Sequence, residues 1–214
     1  MIKQRAQILG RMTQPTTNVD FWFDPICPWA WITSRWMLEV EQVRPVRARW
    51  HVMSLAVLHE NDELPDNYTQ VMDEAMSLVR VITAARREHG DDVVLPLYTA
   101  LGTRLHEQQA ARDRDTVDRS LVEAGLPGDL VDAMTSTEYD DEVRRSHRAA
   151  LDQVGDGVGT PVISVDGAAI FGPVVSPIPR GDTAGRLWDG VIACLGIDGF
   201  FELKRSRTRD PIFD

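Results

Sequence analysis

The alternation of apolar and polar residues predicts two short strands near the start of the chain. Residues 19–23 alternate with a period of two, and residues 46–55 do so again after a stretch with helical spacing. Cys27-Pro28 stands where this helix begins, and proline is favoured at the first position of a helix. A strand, a helix and a second, parallel strand form a right-handed crossover, which leaves Cys27 at the carboxyl end of the first strand.

The middle of the chain has a different pattern, because apolar residues there recur almost everywhere at helical spacing. Several of these segments end at a glycine, which is typical of a helix terminus. An N-cap at Thr137 is expected to begin the last of them. Helices are predicted at residues 66–89, 96–112, 115–124, 128–135 and 137–154.

Strand signals return after this helical region. Residues 160–165 predict a strand, Asp166-Gly167 is a strong two-residue hairpin turn, and residues 168–171 predict the return strand. A last helix is expected at 183–195. The predicted order is therefore βαβ, helical insertion, ββα, which is the order of elements in an α/β thioredoxin fold.

Charge and composition exclude several classes of function. The chain carries 23 basic and 33 acidic residues, for a formal net charge of −10, which repels nucleic acid and anionic membrane surfaces. The basic residues at 204–209 are interpreted as a solvated tail. Because the sequence shows no apolar run with the length of a signal peptide or a membrane span, a cytoplasmic location is predicted. The histidines and cysteines do not have the spacing of metal ligands, and the sequence contains no nucleotide-binding loop.

The candidate chemistry lies in the stretch DPICPWAW, residues 24–31. A thiol at the start of a helix faces unpaired backbone N–H groups and the positive end of the helix dipole, and both favour the thiolate. The pKa of Cys27 is therefore predicted to lie modestly below that of free cysteine. The alternative is a buried structural cysteine, which is common for this residue type.

Ala30 stands where a second cysteine would complete a Cys-x-x-Cys motif. A mixed disulfide formed at Cys27 must then be resolved by an external thiol or by Cys194. Cys194 falls on the apolar face of the last predicted helix and is interpreted as a core residue. The residues therefore favour a monothiol cycle with a low-molecular-weight thiol.

Two tetrapeptides resemble the active-site motifs of the thioredoxin superfamily: CPWA at 27–30 and GTPV at 159–162. Longer segments are similar to the DsbA-like, mycothiol-dependent nitroreductase family of actinobacteria; they are DFWFDPICPWAWITSRWMLEV, HVMSLAVLHEN, VGTPVISVDGAAIFGPV, PIPRG and FFELKR. The chain departs from that family at Ala30, where those enzymes have the second cysteine. The resemblance implies a DsbA-like thioredoxin fold with a large all-helical insertion.

Domain bounds follow from the patterns and the resemblance together. A thioredoxin-like domain is expected at 19–64 and 156–214, and the helical insertion at 65–155. Residues 1–18 are expected to form a disordered extension.

The resemblance also implies the residues of the site. Cys27 is the expected nucleophile, and Pro28 and Trp29 are expected to flank it. Thr160-Pro161 is expected to have a cis peptide bond, which presents the Thr160 backbone to a bound thiol. Two residues are expected to help line the pocket: Tyr68, and His59 at a position where that family has asparagine.

The main hypothesis is a thiol-dependent oxidoreductase that uses Cys27 and a low-molecular-weight thiol, first of all mycothiol. It would reduce a disulfide or an electrophilic small molecule such as a nitroaromatic, and a redoxin is a further candidate partner. No metal and no nucleotide are expected. The alternatives are a kappa-type thiol transferase or isomerase and a non-catalytic relative that binds thiols.

Overall fold

A four-stranded mixed sheet forms the centre of the protein, whose computed structural model describes residues 16–214. The strands are β1 (Thr17–Phe23), β2 (Val46–Val52), β3 (Val162–Val165) and β4 (Ala168–Phe171). Their order in the sheet is β2-β1-β3-β4, with β1 parallel to β2 and antiparallel to β3, and β4 antiparallel to β3. This topology confirms the predicted thioredoxin fold.

Seven α-helices accompany the sheet within the described residues. They are α1 (Pro28–Val43), α2 (Leu55–Leu58), α3 (Asp66–His89), α4 (Val94–Gly102), α5 (Arg114–Glu123), α6 (Asp140–Val154) and α7 (Gly181–Leu195). Across residues 16–214, none of the helices combines the length and hydrophobicity needed to cross a bilayer.

Helices cover both faces of the sheet because the side chains of β1 alternate between them. Phe21 and Phe23 are fully buried in the large core that contains α1 and α7. On this side the Trp36 indole N–H donates to the Ala184 carbonyl at 3.1 Å, which joins the two helices. Trp22 belongs to a second buried cluster, which also contains Leu151 of α6.

The predicted elements differ from the structure mainly at their ends. The bounds predicted for α3 are confirmed. The second strand ends at Val52 and not at residue 55, since a short helix, α2, begins there. Thr17 and Asn18 belong to β1, so the predicted extension of residues 1–18 is too long by these two residues, and its first fifteen positions lie outside the described residues.

Two helical predictions in the insertion are wrong in their type. The predicted helix at 96–112 gives way after Gly102 to a π-helical turn, Thr103–Glu107. Leu105 in this turn still packs against the core, so the four-residue spacing of leucines did not distinguish the two conformations. The segment Gly128–Thr135 is a 3-10 helix, and the hydroxyl of Ser136 caps the next turn in place of Thr137.

The helical insertion shares one continuous core with the sheet. The ring of Tyr98 in α4 stacks on Phe23 with centroids 3.7 Å apart, directly behind the turn that carries Cys27. Gly102 lies so close to Trp31 that an added Cβ would come within 2.1 Å of the indole ring. The insertion therefore supports α1 from behind, while its predicted boundaries at 65 and 155 remain a prediction.

Candidate active site

Cys27 is the N-cap residue of α1, in an extended conformation with φ −76° and ψ 111°. Its Sγ accepts a hydrogen bond from the Ala30 N–H at 3.4 Å. The thiol donates to the Thr160 carbonyl at 3.5 Å, and only 6% of the residue is exposed. The predicted place of the thiol at the helix start is therefore confirmed.

The predicted lowering of the Cys27 pKa is wrong for this state of the protein. Burial raises the pKa of the thiol, and the negative charge of Asp24 adds to the rise, although the Ala30 N–H acts in the other direction. Removing the sulfur from water outweighs the helix terminus. Burial therefore favours the thiol over the thiolate at this position.

Asp24 is a fully buried carboxyl group in the same turn. Its Oδ1 accepts from the Ile26 N–H at 3.0 Å and its Oδ2 from the Leu55 N–H at 2.7 Å. Burial raises the pKa of Asp24 to about 7, against these two hydrogen bonds. The carboxyl group therefore changes charge near neutral pH, and it fixes the turn to the start of α2.

Thr160-Pro161 forms the opposite wall of the site. The peptide bond between the two residues is cis, as the resemblance implied. Thr160 is buried, with 5% of the residue exposed. The backbone of this loop thus lies against Sγ, where it can meet the cysteinyl part of a thiol.

Pro28 and Trp29 open α1 beside Cys27, and both are half-buried. The Trp29 ring packs against the core on one side. The guanidinium carbon of Arg207 lies 5.1 Å from its ring centroid. Arg207 is exposed, in line with the interpretation of the basic run as solvated, but its contact with Trp29 was not predicted.

Tyr68 and His59 do not join the Cys27 centre in this structure. His59 follows α2, where its Nδ1 hydrogen-bonds the Asp62 carboxylate at 2.7 Å. Tyr68 lies in the first turn of α3 and is 51% exposed. Within the described part of the chain, neither side chain makes a hydrogen bond, ion pair or ring contact with Cys27, so their pocket-lining role stays a prediction.

His106 is a residue of the site that sequence reasoning missed. Its Nε2–H donates to the Pro25 carbonyl at 2.9 Å, and its ring stacks on Trp31 with centroids 5.8 Å apart. Burial lowers the pKa of His106 to about 4, so the imidazole is neutral at physiological pH. The contact joins residues that are 81 positions apart, and no local pattern indicates it.

Arg35 provides a second link between α1 and the insertion. It donates to the hydroxyls of Ser34, at 3.2 Å, and Thr99, at 3.1 Å. Its guanidinium lies 4.1 Å above the Trp31 ring, on the helix that Cys27 caps. Together with His106, this arginine fixes the orientation of α1 and hence of the thiol.

No cluster of three or more potential metal-ligating side chains occurs in residues 16–214. The arrangement around Cys27 is thus made of backbone groups, one buried carboxyl group and aromatic rings. Such a site suits thiol–disulfide exchange, in which a sulfur is attacked in line and the leaving thiolate is protonated.

Comparisons with known proteins agree with this chemistry. Residues 26–205 match the model of the Rv2466c-like family, described as mycothiol-dependent nitroreductase Rv2466c. The chain belongs to this family. It is therefore an enzyme of the DsbA-like thiol oxidoreductase class, which confirms the resemblance found in its sequence.

Similar individual proteins support the family and the fold. The chain is 29% identical over 194 residues to the uncharacterized protein Rv2286c of Mycobacterium tuberculosis, which covers 90% of this chain and 83% of that protein. The probable DsbA oxidoreductase SCO1869 of Streptomyces coelicolor has a TM-score of 0.58 at 16% identity, covering 90% of this chain and 94% of that one. The cytosolic disulfide reductase DsbM of Pseudomonas aeruginosa, solved with GSH, has a TM-score of 0.55 at 12% identity, covering 82% and 99%.

Proposed function

We propose that this enzyme is a monothiol oxidoreductase, in which Cys27 exchanges disulfides with a low-molecular-weight thiol, first of all mycothiol. One observation carries the proposal: Sγ lies between the Ala30 N–H and the Thr160 carbonyl, and the position of a second motif cysteine is occupied by the buried methyl group of Ala30. The site keeps the nucleophile and the thiol-binding loop, while the internal resolving group is absent from the motif.

Cys194 is too distant to act as the resolving thiol. Arg44, the C-cap of α1, forms a bidentate ion pair with Asp189 of α7, at 2.8 and 2.6 Å. Cys194 comes after Asp189, in the last turn of α7. It therefore lies near the C-terminal end of α1, whereas Cys27 caps the N-terminal end. The sixteen residues of α1 span about 24 Å, whereas a disulfide requires Cα atoms within about 7 Å.

The proposed cycle has two exchange steps. The Cys27 thiolate attacks the thiol-derived sulfur of a mixed disulfide R′S–SR, forms Cys27–S–SR and releases R′S⁻, which takes up a proton. A second RSH, as its thiolate, attacks the same sulfur, displaces Cys27 and leaves as RSSR. The substrate thiol leaves as R′SH, and the RS group of the mixed disulfide and one RSH together become RSSR.

With a nitroaromatic substrate, the nitro group accepts the electrons in place of a disulfide, and the number transferred is again two. Two external thiols become RSSR, and the nitro group takes up two electrons and two protons to give a nitroso group and water. Asp24, with a pKa raised to about 7, is placed to hold or release a proton at neutral pH beside these steps.

The Thr160 carbonyl supports the thiol-binding part of the proposal. In the free protein it accepts the hydrogen bond of the Cys27 thiol. A disulfide at Cys27 has no S–H, so its formation leaves this carbonyl free to accept an N–H of the bound thiol, as an added strand pairs with a sheet edge.

The proposal is tested by reduction of bis(2-hydroxyethyl) disulfide with mycothiol, followed by the appearance of mycothiol disulfide. We expect turnover to fall by about a hundredfold or more in Cys27→Ser, since serine is not a nucleophile at neutral pH. Cys194→Ser is the matched control and should stay within about twofold of the parent. Equal turnover in the parent and in Cys27→Ser would overturn the proposal.

The buried state of Cys27 favours a second candidate function. Because burial raises the pKa of its thiol, the residue is also suited to hold a bound external thiolate without reacting itself. The chain would then be a kappa-type thiol transferase or isomerase. Conjugation of mycothiol to 1-chloro-2,4-dinitrobenzene, without formation of a disulfide and with activity retained in Cys27→Ser, would identify this function.

A further inference from the structure

The last nine residues of the chain, 206–214, lie beyond the match to the family, which ends at residue 205. They form neither helix nor strand, yet they are fixed to the folded domain. The hydroxyl of Ser176 donates to the Asp210 carbonyl at 3.0 Å and accepts from the Ile212 N–H at 3.0 Å. Ser176 thus clamps the tail to the loop that precedes α7.

This C-terminal tail reaches the Cys27 turn at two points. The ring of Phe213 packs against the core and lies 5.6 Å from His106, which in turn donates to the carbonyl of Pro25. Arg207 lies over Trp29, two residues after the nucleophile. The tail therefore contacts Trp29 directly and the Asp24-Pro25 side of the turn through His106.

Arg207 has a charge that the folded chain leaves available. Its contact with the Trp29 ring is the one interaction of its guanidinium found among residues 16–214, and no ion pair or hydrogen bond of this group occurs there. The residue is exposed. A guanidinium that lies on an aromatic face keeps its N–H edge free, and this edge matches a carboxylate in a bidentate manner.

We propose that Arg207 is a binding residue for a carboxylate carried by the molecule that reacts at Cys27, and that the tail 206–214 gives the site this preference. The inference rests on the proposed function, because it takes Cys27 as the reacting atom. The carboxylate belongs to the electrophile. The preferred partner is therefore an anion, although the whole chain has a formal net charge of −10.

Matched pairs of thiol reagents test the proposal without turnover. The first pair is 5,5′-dithiobis(2-nitrobenzoate) and neutral 2,2′-dithiodipyridine, and the second is iodoacetate and iodoacetamide. Rates are measured in a Cys194→Ser background, so that Cys27 is the thiol whose reaction is measured. In Arg207→Gln we expect the ratio of anionic to neutral rates to fall by about threefold, as for one partly screened charge near the mouth of the site.

Two further variants make the result specific. Arg209→Gln removes another exposed arginine of the tail and should leave both ratios unchanged. Phe213→Ala removes the anchor of the tail at His106 and should reduce the ratio as Arg207→Gln does. Circular dichroism confirms that each variant is folded.

The two reagent pairs check each other. We expect a loss in both, because each anionic reagent carries its carboxylate on the molecule that Cys27 attacks. Unchanged ratios in both pairs for Arg207→Gln would overturn the proposal. Since these reactions are stoichiometric, a missing turnover of bis(2-hydroxyethyl) disulfide would count against the monothiol cycle and leave the result for Arg207 in place.

Discussion

The two cysteines of the chain occupy opposite kinds of helix terminus. Cys27 caps the first turn of α1 at the edge of the sheet, where a backbone N–H points at its sulfur. Cys194 lies in the last turn of α7, at the negative end of the helix dipole. The same thiol group therefore has different chemistry at the two places, and the difference comes from the backbone around it.

Burial adds a second contrast between the two positions. Cys27 is buried and Cys194 is half-buried. Exposure alone would favour Cys194 as the reactive thiol, whereas position at a helix start favours Cys27. The family match and the Thr160 loop favour Cys27. The following predictions test how far the residues around Cys27 make it the reactive thiol.

The largest effect of a single substitution is expected where the insertion supports α1. Gly102→Ala would place a methyl group 2.1 Å from a Trp31 ring carbon, so the indole must move. We expect a loss of about 3 kcal/mol in the free energy of unfolding, measured with urea. Gly157→Ala is the matched control, because nothing lies within 4 Å of its added Cβ, and it should change the stability by less than about 0.5 kcal/mol. An unchanged stability of Gly102→Ala would show that Trp31 does not hold α1 in place.

The next effect is a pH dependence of stability from Asp24. Its pKa is raised from 3.8 to about 7 in the folded protein, so the folded state keeps a proton that the unfolded state releases. The contribution of this group to the free energy of unfolding therefore falls by about 4 kcal/mol as the pH rises from about 4 to about 7, and it is constant at higher pH. Urea denaturation across this range should show the decline in the parent and a weaker one in Asp24→Asn. The same slope in both proteins would contradict the assignment.

A smaller effect should follow from restoring the motif. Ala30→Cys places a second thiol one helical turn from Cys27, so the mixed disulfide is resolved within the chain. We expect the steady-state amount of the adduct at Cys27 to fall by about tenfold, measured by mass spectrometry after acid quenching. Ala193→Cys, at an exposed position of α7 next to Cys194, is the matched control and should leave the adduct unchanged. A persistent adduct in Ala30→Cys would mean that the two sulfurs cannot meet.

The smallest effect concerns the reactivity of the thiol. The charge of Asp24 raises the pKa of Cys27, so Asp24→Asn should lower that pKa and shift the pH profile of alkylation to lower pH. At pH 7 we expect the rate with iodoacetamide to rise by about threefold. Asp62→Asn, which removes an exposed carboxylate beside His59, is the control. A shift of the profile to higher pH would show that the hydrogen bonds of Asp24, and not its charge, control the thiol.

Local patterns in the sequence were sufficient for the thioredoxin order of elements, the place of Cys27 at a helix start and the bounds of α3. These features depend on neighbouring residues, whose spacing is visible in the sequence. The cis bond at Thr160-Pro161 came from the family resemblance and not from the pattern. The structure confirms it.

Other features of the site depend on contacts between distant parts of the chain. No local signal placed His106 on Pro25, Arg207 on Trp29 or the Leu55 N–H on Asp24. The sign of the Cys27 pKa shift was predicted wrongly for the same reason. It results from a competition between burial and the helix terminus, and burial is a property of the whole fold.

The most direct test of the central claim is to map the adducts formed with mycothiol disulfide. After incubation and digestion, mass spectrometry should find one mycothiol adduct, on Cys27, which free mycothiol then releases. The adduct should persist in Cys194→Ser and disappear in Cys27→Ser. A disulfide between Cys27 and Cys194, or an adduct on Cys194 alone, would contradict the account.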